Sequence, residues 1–578
     1  MKHLSSCFLL VGLLITVTFV SCIKDNEGFE EVTDFGESEI FGFVTNVDNE
    51  PIAGAEVTYR GKTAFTDTDG IYRLTDVQVG PQHNGLKIEK DGYFEGSRTF
   101  RTATAGTLYQ TTILQEKSFD HSFQSNTNAE IVEEQVTIEF PANAIVFEDT
   151  GEPYEGQVLV AISPIDPTED QLSERMPGDL SAINDDNTIS TLESFGIVYV
   201  EMQDPSGTKL QIAENKTVQL SYRIAPALRS SAPATIPMWS YDFDLGAWKE
   251  EGQAAKSADG VKYVGAVSHF SCWNYDVAAP SIIVTGVVFS NELGLVNFTI
   301  TIFNASNKGG RGKTDNKGQF SGRVEAGVPL ILTITSNSDC PVTFSMPVGP
   351  FDTDTDLGII EVDNVLIAAI SGTALDCDQN PLAMGRLYVA DQVFPITDGV
   401  IDIFAHICAN DGFVDIRIVD EISMKEVILL DVALAEKIDL GEVIVCEEGL
   451  NLTVDNLDGQ PTVLSDPLAE IRFNEFNNFT RLEISSDAGS IPFSKVVLLL
   501  GPNDDWSLSV GEYEITEATF DNGTDIFSAA ANPVGTVTVE STSESSFGTV
   551  LKGVYSVETE STDSEQRVIT GSFKVNVR

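Results

Sequence analysis

The chain has 578 residues, 42% of them hydrophobic, and its 88 acidic and 34 basic side chains give a formal net charge of −54 at pH 7. That hydrophobic content is enough for packed cores, and the length predicts about four domains of roughly 150 residues each. A field of this sign repels phosphate groups, so the charge argues against nucleic acid and anionic lipid as partners.

The N-terminus has the pattern of a targeting segment. Lys2 and His3 form a short basic region, and Phe8 to Val20 is apolar but shorter than the roughly 20 residues of a spanning helix. The run ends in "FVSC", which resembles a bacterial lipobox. The resemblance implies that residues 1–21 are a lipoprotein signal peptide and that Cys22 is lipidated. The alternative is an ordinary secretory signal with an incidental cysteine.

Residues 22–37 form the expected tether. They begin "CIKDNEGFEE", are polar and acidic, and show no core-forming periodicity. Their "KDNE" start resembles the acidic tether that sends some Gram-negative lipoproteins to the cell surface. We therefore expect export, attachment to the membrane through the lipid on Cys22, and a surface-facing position on the outer membrane.

Beyond the tether, short runs of Val, Ile, Thr and Phe are broken by Gly, Asp and Asn. This pattern predicts an all-β string of about five β-sandwich modules, transthyretin-like or immunoglobulin-like. One exception, "TEDQLSERM" at 168–176, predicts two helical turns. We name the predicted modules the first module (38–116), the middle module (117–279), the second repeat (280–364), the third repeat (365–447) and the C-terminal module (448–578).

A loose internal repeat links the first module with the second and third repeats: strand, polar turn, strand, then an Asp-Gly turn into another strand. The turns lie in "TDTDGIYRL", "TDNKGQFSGRV" and "ITDGVIDIFA". We expect Gly70, Gly318 and Gly399 to supply the positive φ of these turns. Alternate residues after each turn should face a core: Tyr72 and Leu74, Phe320 and Val324, Ile401 and Ile403.

The first copy, "GFVTNVDNEPIAGAEV" with "TDTDGIYRL", resembles the carboxypeptidase regulatory-like domain over residues 39–115. The match is to its G-x-V, P-x-x-G-A-x-V and T-D-x-x-G-x-Y pattern. The resemblance implies a noncatalytic, transthyretin-like sandwich with a carbohydrate-binding-like fold. The other two copies lack P-x-x-G-A and match more loosely. The chain contains no HExxH motif of an accompanying zinc peptidase.

The middle module carries "FPANAI", "PSGTKL" and "VSHFSCWNYD". This order resembles the sandwich domain shared by zonula-occludens proteins, ankyrins and netrin receptors. Some members of that family cut their own backbone between Phe and Ser of a His-Phe-Ser sequence. Carried over, Ser271 would attack the Phe270 carbonyl with His269 as base.

The alternative for this stretch is a structural strand. His269, Ser271 and Trp273 would then face one side of the strand, and Phe270 and its alternating neighbours the other. We favour the strand, and therefore predict no catalytic residue.

Four cysteines lie close together in the sequence of this exported chain, and they predict one or two disulfides with open pairing: Cys340, Cys377, Cys408 and Cys446. Cys272 is left over, and the chain has no CxxC motif for zinc.

"FDTDTDLG" places Asp352, Asp354 and Asp356 at alternate positions, as calcium loops do, but it lacks the closing bidentate glutamate. No cofactor is predicted, with calcium as the open alternative. "NKGGRGKT" at 307–314 lacks the first glycine of a phosphate loop. It is interpreted as a basic loop that binds no nucleotide.

The end of the chain, "GVYSVETESTDSEQRVITGSFKVNV", predicts a hairpin with Tyr555 and Phe573 facing inward. The module resembles C-terminal domains of other surface lipoproteins. The whole sequence therefore predicts a noncatalytic surface lipoprotein, a stalk of modules in series that binds or scaffolds a glycan or a protein. The alternatives are a self-processing protein cut at Phe270–Ser271 and a glycan-active enzyme.

Overall fold

The computed structural model describes residues 37–448, except 82, 103, 134, 170, 185–187, 306–308, 339–340, 364 and 409–411, and within 451–577 it describes strands without most of their connections. The regular secondary structure of the described chain is almost all strand, which confirms the all-β prediction. Its helices are one turn, α1 (Leu172–Arg175), where two turns were predicted, and a 3₁₀ turn (Pro226–Leu228). Within these ranges no helix is long and apolar enough to cross a membrane. Cys22 and the signal segment lie outside the described residues.

The first module is a sandwich of two sheets, β4-β1-β7 and β3-β2-β5-β6, around one core. Its strands are β1 (Glu37–Thr45), β2 (Glu56–Tyr59), β3 (Lys62–Phe65), β4 (Ile71–Gln78), β5 (Asn84–Glu89), β6 (Gly96–Phe100) and β7 (Thr107–Ile113). Tyr72 and Leu74 are buried in that core as predicted. Gly70 has φ +68°, and a Cβ there would lie 2.4 Å from the Val44 carbonyl oxygen, so the turn requires glycine.

The middle module has a large sheet with apolar cores on both faces. Its strands are β8 (His121–Gln124), β9 (Ala129–Val132), β10 (Val136–Phe140), β11 (Ile145–Phe147), β12 (Gln157–Ile165), β13 (Ser181–Ile183), β14 (Ile189–Gln203), β15 (Lys209–Ile212), β16 (Val218–Arg223), β17 (Thr235–Asp242), β18 (Ala247–Lys256) and β19 (Lys262–Val267), followed by β20 (Cys272–Ser290). On β14, Val198 and Val200 enter one core while Ile197 and Tyr199 enter the other. A strand covered on both faces is apolar throughout rather than alternating.

Strand β20 belongs to two modules. Its first part pairs with β14 up to Pro280, and its continuation pairs with two strands of the second repeat. The second repeat adds β21 (Leu293–Gly294), β22 (Thr299–Asn304), β23 (Gly309–Lys313), β24 (Gln319–Glu325), β25 (Leu330–Thr335), β26 (Thr343–Val348) and β27 (Thr355–Glu361). The two modules are therefore joined by a continuous strand and not by a linker.

The third repeat forms a sheet of order β34-β28-β31-β30-β29-β32-β33-β35. Its strands are β28 (Ile367–Leu375), β29 (Met384–Val389), β30 (Gln392–Thr397), β31 (Val400–His406), β32 (Phe413–Asp420), β33 (Lys425–Ala433), β34 (Lys437–Ile444) and β35 (Glu447–Glu448). Strand β28 pairs antiparallel with β31 and parallel with β34. Strand β1 pairs in the same way with β4 and β7, and β20 with β24 and β27.

This shared pairing shows that the sequence repeat is a structural repeat. Gly318 and Gly399 have φ +77° and +71°, as predicted, and the alternate residues after each turn are buried: Phe320, Val324, Ile401 and Ile403. In the first strand of two copies a glycine faces the buried ring. A Cβ on Gly42 would lie 2.4 Å from the Tyr72 ring, and one on Gly286 would lie 2.8 Å from the Phe320 ring. The glycine of the G-x-V motif therefore makes room for the aromatic residue after the turn.

The C-terminal module is a ring of strands. Its strands are β36 (Asn451–Val454), β37 (Thr462–Ser465), β38 (Leu468–Asn474), β39 (Phe479–Ser485), β40 (Lys495–Gly501), β41 (Gly511–Asp521), β42 (Ile526–Ser545), β43 (Gly548–Glu560) and β44 (Gln566–Val577). Strands β38 to β44 pair in sequence, and β44 returns to pair in parallel with β38. Strands β43 and β44 form the predicted hairpin, and Tyr555 and Phe573 are buried as predicted.

The first module packs against the middle module and against the second and third repeats, so the expectation of a stalk of modules in series is wrong for these four. The first module contacts the middle module through Ser97 and Tyr241, whose hydroxyl groups lie 2.8 Å apart. It contacts the second repeat through Thr107 and Asn316, which exchange two hydrogen bonds of 3.1 Å. It also contacts the third repeat, through the arginines described below. The polar turns of the repeats are used as contact surfaces, which pattern analysis alone does not reveal.

Candidate functional site: the His-Phe-Ser corner and the module junctions

The His-Phe-Ser segment lies in the bend between β19, which ends at Val267, and β20, which begins at Cys272. The prediction of a strand for His269–Ser271 is therefore wrong. The physical reason is pairing: β19 pairs with β16 and β18, whereas β20 pairs with β14 and β17, so the chain must turn between them. From Cys272 to Asp276 every residue is buried, because both faces of the sheet are covered.

Phe270 is held on both sides of its backbone by a single side chain. The amide nitrogen of Gln211 donates to the Phe270 carbonyl oxygen at 3.0 Å, and the Phe270 N–H donates to Gln211 Oε1 at 2.7 Å. The Phe270 ring packs edge-on against Phe140 with ring centroids 5.8 Å apart. In the described chain, cis peptides and positive φ values fall outside 269–271. The backbone strain that self-cleavage uses is therefore not observed at this bond.

The side chains of His269 and Ser271 have separate partners. His269 Nε2 lies 2.8 Å from Glu251 Oε2, and the ring packs on Trp273. This hydrogen bond lowers the pKa of the Glu251 carboxyl group. The Ser271 hydroxyl donates to the Cys272 carbonyl oxygen at 3.5 Å. A serine nucleophile needs its base within hydrogen-bonding reach, and among the described residues the Ser271 hydroxyl makes no hydrogen bond to the His269 ring.

A disulfide joins Cys377 to Cys446. These residues follow the ends of β28 and β34, so the bond ties together one end of a parallel strand pair. Cys408 is also disulfide-bonded, and Cys340 lies outside the described residues. Cys272 is a buried free thiol, and burial raises its pKa well above the usual value, which makes it a poor nucleophile.

The three aspartates of the calcium alternative do not form a common ligand set. Asp354 Oδ1 accepts the Ile283 N–H at 2.7 Å and Asp356 Oδ1 accepts the Gly358 N–H at 2.9 Å, while Asp352 is exposed. Across the described residues no group of three His, Cys, Asp or Glu side chains is placed to hold a metal ion. Calcium binding by this segment stays a prediction.

The "NKGGRGKT" segment is not a loop where the structure describes it. Gly309–Lys313 form β23, an edge strand that pairs antiparallel with β22. The interpretation as a basic loop is therefore wrong. The glycines let this strand lie close to its neighbours: a Cβ on Gly310 would be 2.6 Å from the Arg323 carbonyl oxygen.

Two buried arginines join the first module to the third repeat. Arg73 ion-pairs with Glu39 of its own module and, at 3.0 Å, with Glu421 of the third repeat. Arg386 of the third repeat pairs with Asp67 at 2.5 Å and with Glu421 at 3.0 Å. Only 4% of each arginine side chain is exposed. Burial raises the pKa of the Glu39 and Asp67 carboxyl groups, and the arginines oppose that shift.

Sequence reasoning missed this network. Arg73 stands between Tyr72 and Leu74, at a position that strand alternation assigns to solvent. In the structure that outward face meets the third repeat, where Arg73 also donates to the Ile396 carbonyl oxygen and the Thr397 hydroxyl group. The nearest sequence signal was an arginine on a strand in each of two copies of the repeat, Arg73 on β4 and Arg386 on β29.

The fold defines an all-β protein built from sandwich modules, several of which pack together. No protein-family profile matches the chain. A segment of 118 residues is 27% identical to cartilage intermediate layer protein 1 of Sus scrofa, covering 20% of this chain and 19% of that protein. The Homo sapiens protein of the same name is 27% identical over 118 residues, or 10% of its length. The match therefore spans a fifth or less of these relatives.

Solved structures give weak likenesses. The Bacillus anthracis TIE protein aligns with 72% of this chain and 51% of its own at 10% identity and a TM-score of 0.15. The major pilin subunit BcpA of Bacillus cereus aligns with 71% of this chain and 99% of its own at 11% identity and a TM-score of 0.11. TM-scores this low carry no argument about fold or function.

Proposed function

We propose that this protein is a noncatalytic scaffold of the bacterial cell envelope, anchored by lipid on Cys22, that presents a binding surface to a glycan or a protein. The observation that carries the proposal is the packing of the first module against three others. Buried ion pairs and hydrogen bonds between modules favour one fixed arrangement over a flexible chain of domains. A fixed arrangement keeps the loop ends of several sandwiches in constant relative positions, which suits binding.

The noncatalytic part of the proposal is supported by the His-Phe-Ser corner. His269 is bound to Glu251, and Gln211 holds Phe270 from both sides, so the base and the scissile carbonyl of the self-cleavage alternative each have a structural partner. We expect the purified protein to give one chain by denaturing mass spectrometry, identical in size in the parent and in a Ser271→Ala variant.

A Gln211→Ala variant serves as the matched control, because it frees the Phe270 backbone without changing His269 or Ser271. We expect it to stay uncut as well. Two fragments meeting at Phe270–Ser271 in the parent, and one chain in Ser271→Ala, would replace the scaffold with a self-processing protein.

The lipid anchor has its own test. In a Gram-negative host, radiolabelled palmitate should enter the parent and be absent from a Cys22→Ser variant. Equal labelling of the two would contradict the anchor. Protease added to intact cells should then degrade the parent if it faces outward, and spare it if it faces the periplasm, which decides between the two leaflets.

A further inference from the structure

Three cationic side chains converge on one carboxylate where the first module, the middle module and the second repeat meet. Arg311 Nε on β23 lies 3.2 Å from Glu174 Oε1 on α1. The Ser173 hydroxyl donates to the other Glu174 oxygen at 2.6 Å. Arg98 on β6 donates to the Ser173 carbonyl oxygen, which brings its guanidinium group to the same loop. The third cation is Lys313, two residues beyond Arg311 and therefore on the same face of β23.

Lys313 is half-buried, and among the described residues it makes no direct ion pair. Burial lowers its pKa to about 8; Glu174 opposes this shift, and Arg311 and Arg98 add to it. Within the part of the chain that the structure describes, Lys313 has no hydrogen bond or ion pair, and the buried Nε of Arg98 also has no hydrogen-bond partner. An ammonium group that is half-buried and without a direct partner costs free energy that an anion would offset.

The face that carries these cations continues as a row of hydroxyl groups. Arg311 is opposite Thr301 on β22, which is opposite Thr333 on β25, which is opposite Ser345 on β26. Directly opposite residues share a face of a sheet, and the Thr333 and Ser345 hydroxyl oxygens lie 3.0 Å apart. Ser345 is exposed, so the row opens to solvent. Cations beside hydroxyl groups match the oxygen-rich chemistry of an acidic saccharide.

We propose that Arg311 and Lys313 bind an oxyanion group at this three-module junction, with the hydroxyl row beside it available to the rest of an acidic saccharide. The inference deepens the proposed binding function by naming a site and the ligand chemistry. The site gathers three cationic side chains, Arg98, Arg311 and Lys313, in a chain whose net charge is −54. Only a local cluster can attract an anion against such a field.

The test is calorimetric titration of the full-length protein, purified in detergent, with sodium sulfate at constant ionic strength. We expect the parent to bind sulfate and Lys313→Met to bind it at least about tenfold more weakly, since a charge-assisted hydrogen bond is lost. Lys313→Arg should retain binding, which separates loss of charge from misfolding. Lys317→Met is the matched control, because Lys317 donates to the Ala105 carbonyl oxygen instead. Sulfate binding should also weaken above pH 8, where Lys313 loses its proton.

A sulfated oligosaccharide and an oligogalacturonate form the second arm. Tighter binding of either than of inorganic sulfate, again dependent on Lys313, identifies the ligand as a saccharide; binding no tighter identifies a site for free anions. Equal sulfate binding by the parent and Lys313→Met would overturn the proposal, as would a parent that binds none of the three probes. Either result would leave the proposed scaffold function untouched, because the mass-spectrometric test for chain cleavage and the palmitate-labelling test address that function separately.

Discussion

Replacing Arg386 by methionine should weaken the contact between the first module and the third repeat without unfolding either. The side chain is 4% exposed and pairs with Asp67 at 2.5 Å and Glu421 at 3.0 Å. Removing one partner of a buried pair leaves carboxylates uncompensated and costs about 3–5 kcal/mol. Because a third of the Asp67 side chain is exposed, water screens part of this loss, and we expect about 3 kcal/mol, the lower end of that range.

Hydrogen exchange followed by mass spectrometry measures the effect locally, which a single melting curve of a multi-module protein does not. A loss of about 3 kcal/mol should speed exchange roughly 100-fold in peptides from 67–74 and 385–397, at about 1.4 kcal/mol for each factor of ten. Arg417→Met is the control, because Arg417 pairs with Glu426 inside the third repeat. It should leave 67–74 unchanged. Unaltered protection of 67–74 in Arg386→Met would refute the argument that this ion network holds the modules together.

Three further variants test the interior. Asp276 is fully buried, and burial raises its pKa well above 3.8, so the folded state keeps a proton that the unfolded state has lost. Between 3.8 and the raised pKa of the folded state, stability should therefore fall by about 1.4 kcal/mol per pH unit. Asp276→Asn should lose less stability than the parent between pH 5 and pH 8 in denaturation experiments, and equal losses would contradict this reasoning. Replacing Cys377 and Cys446 by serine opens a bridge spanning 69 residues and should lower the stability of the third repeat by about 4 kcal/mol, visible as an earlier calorimetric transition. Gly42→Ala places a Cβ 2.4 Å from the Tyr72 ring and should lower the free energy of unfolding by about 1–3 kcal/mol. Gly322→Ala is the control, because a Cβ there meets nothing within 4 Å and should lower it less. Equal melting temperatures of the two variants would argue against the packing explanation.

The fold was predictable from local signals because those signals arise within single strands and turns. Gly70, Gly318 and Gly399 adopt the positive φ that their Asp-Gly contexts predict. Tyr72 and Phe320 are buried where alternation places them. Both depend on the backbone and on the nearest strand, and neither depends on what another module contributes.

The candidate sites were less predictable because they depend on contacts between distant segments. The corner at His269–Ser271 follows from a change of pairing partners between β19 and β20, which the residues of the segment do not encode. Gln211, which holds Phe270, stands 59 residues away. Arg73 and Arg386 are 313 residues apart in sequence, as their numbers show, and they share Glu421. Long-range pairs of this kind leave no periodic pattern in one sequence.

Strand β20 has a consequence for how this protein was assembled. Its 19 residues complete the sheet of one module and begin the sheet of the next. Recombination at this boundary would cut through a hydrogen-bonded strand and leave both neighbours with an unpaired edge. The middle module and the second repeat should therefore be inherited and exchanged as a pair. The segment that recombination can move here is two folded modules long.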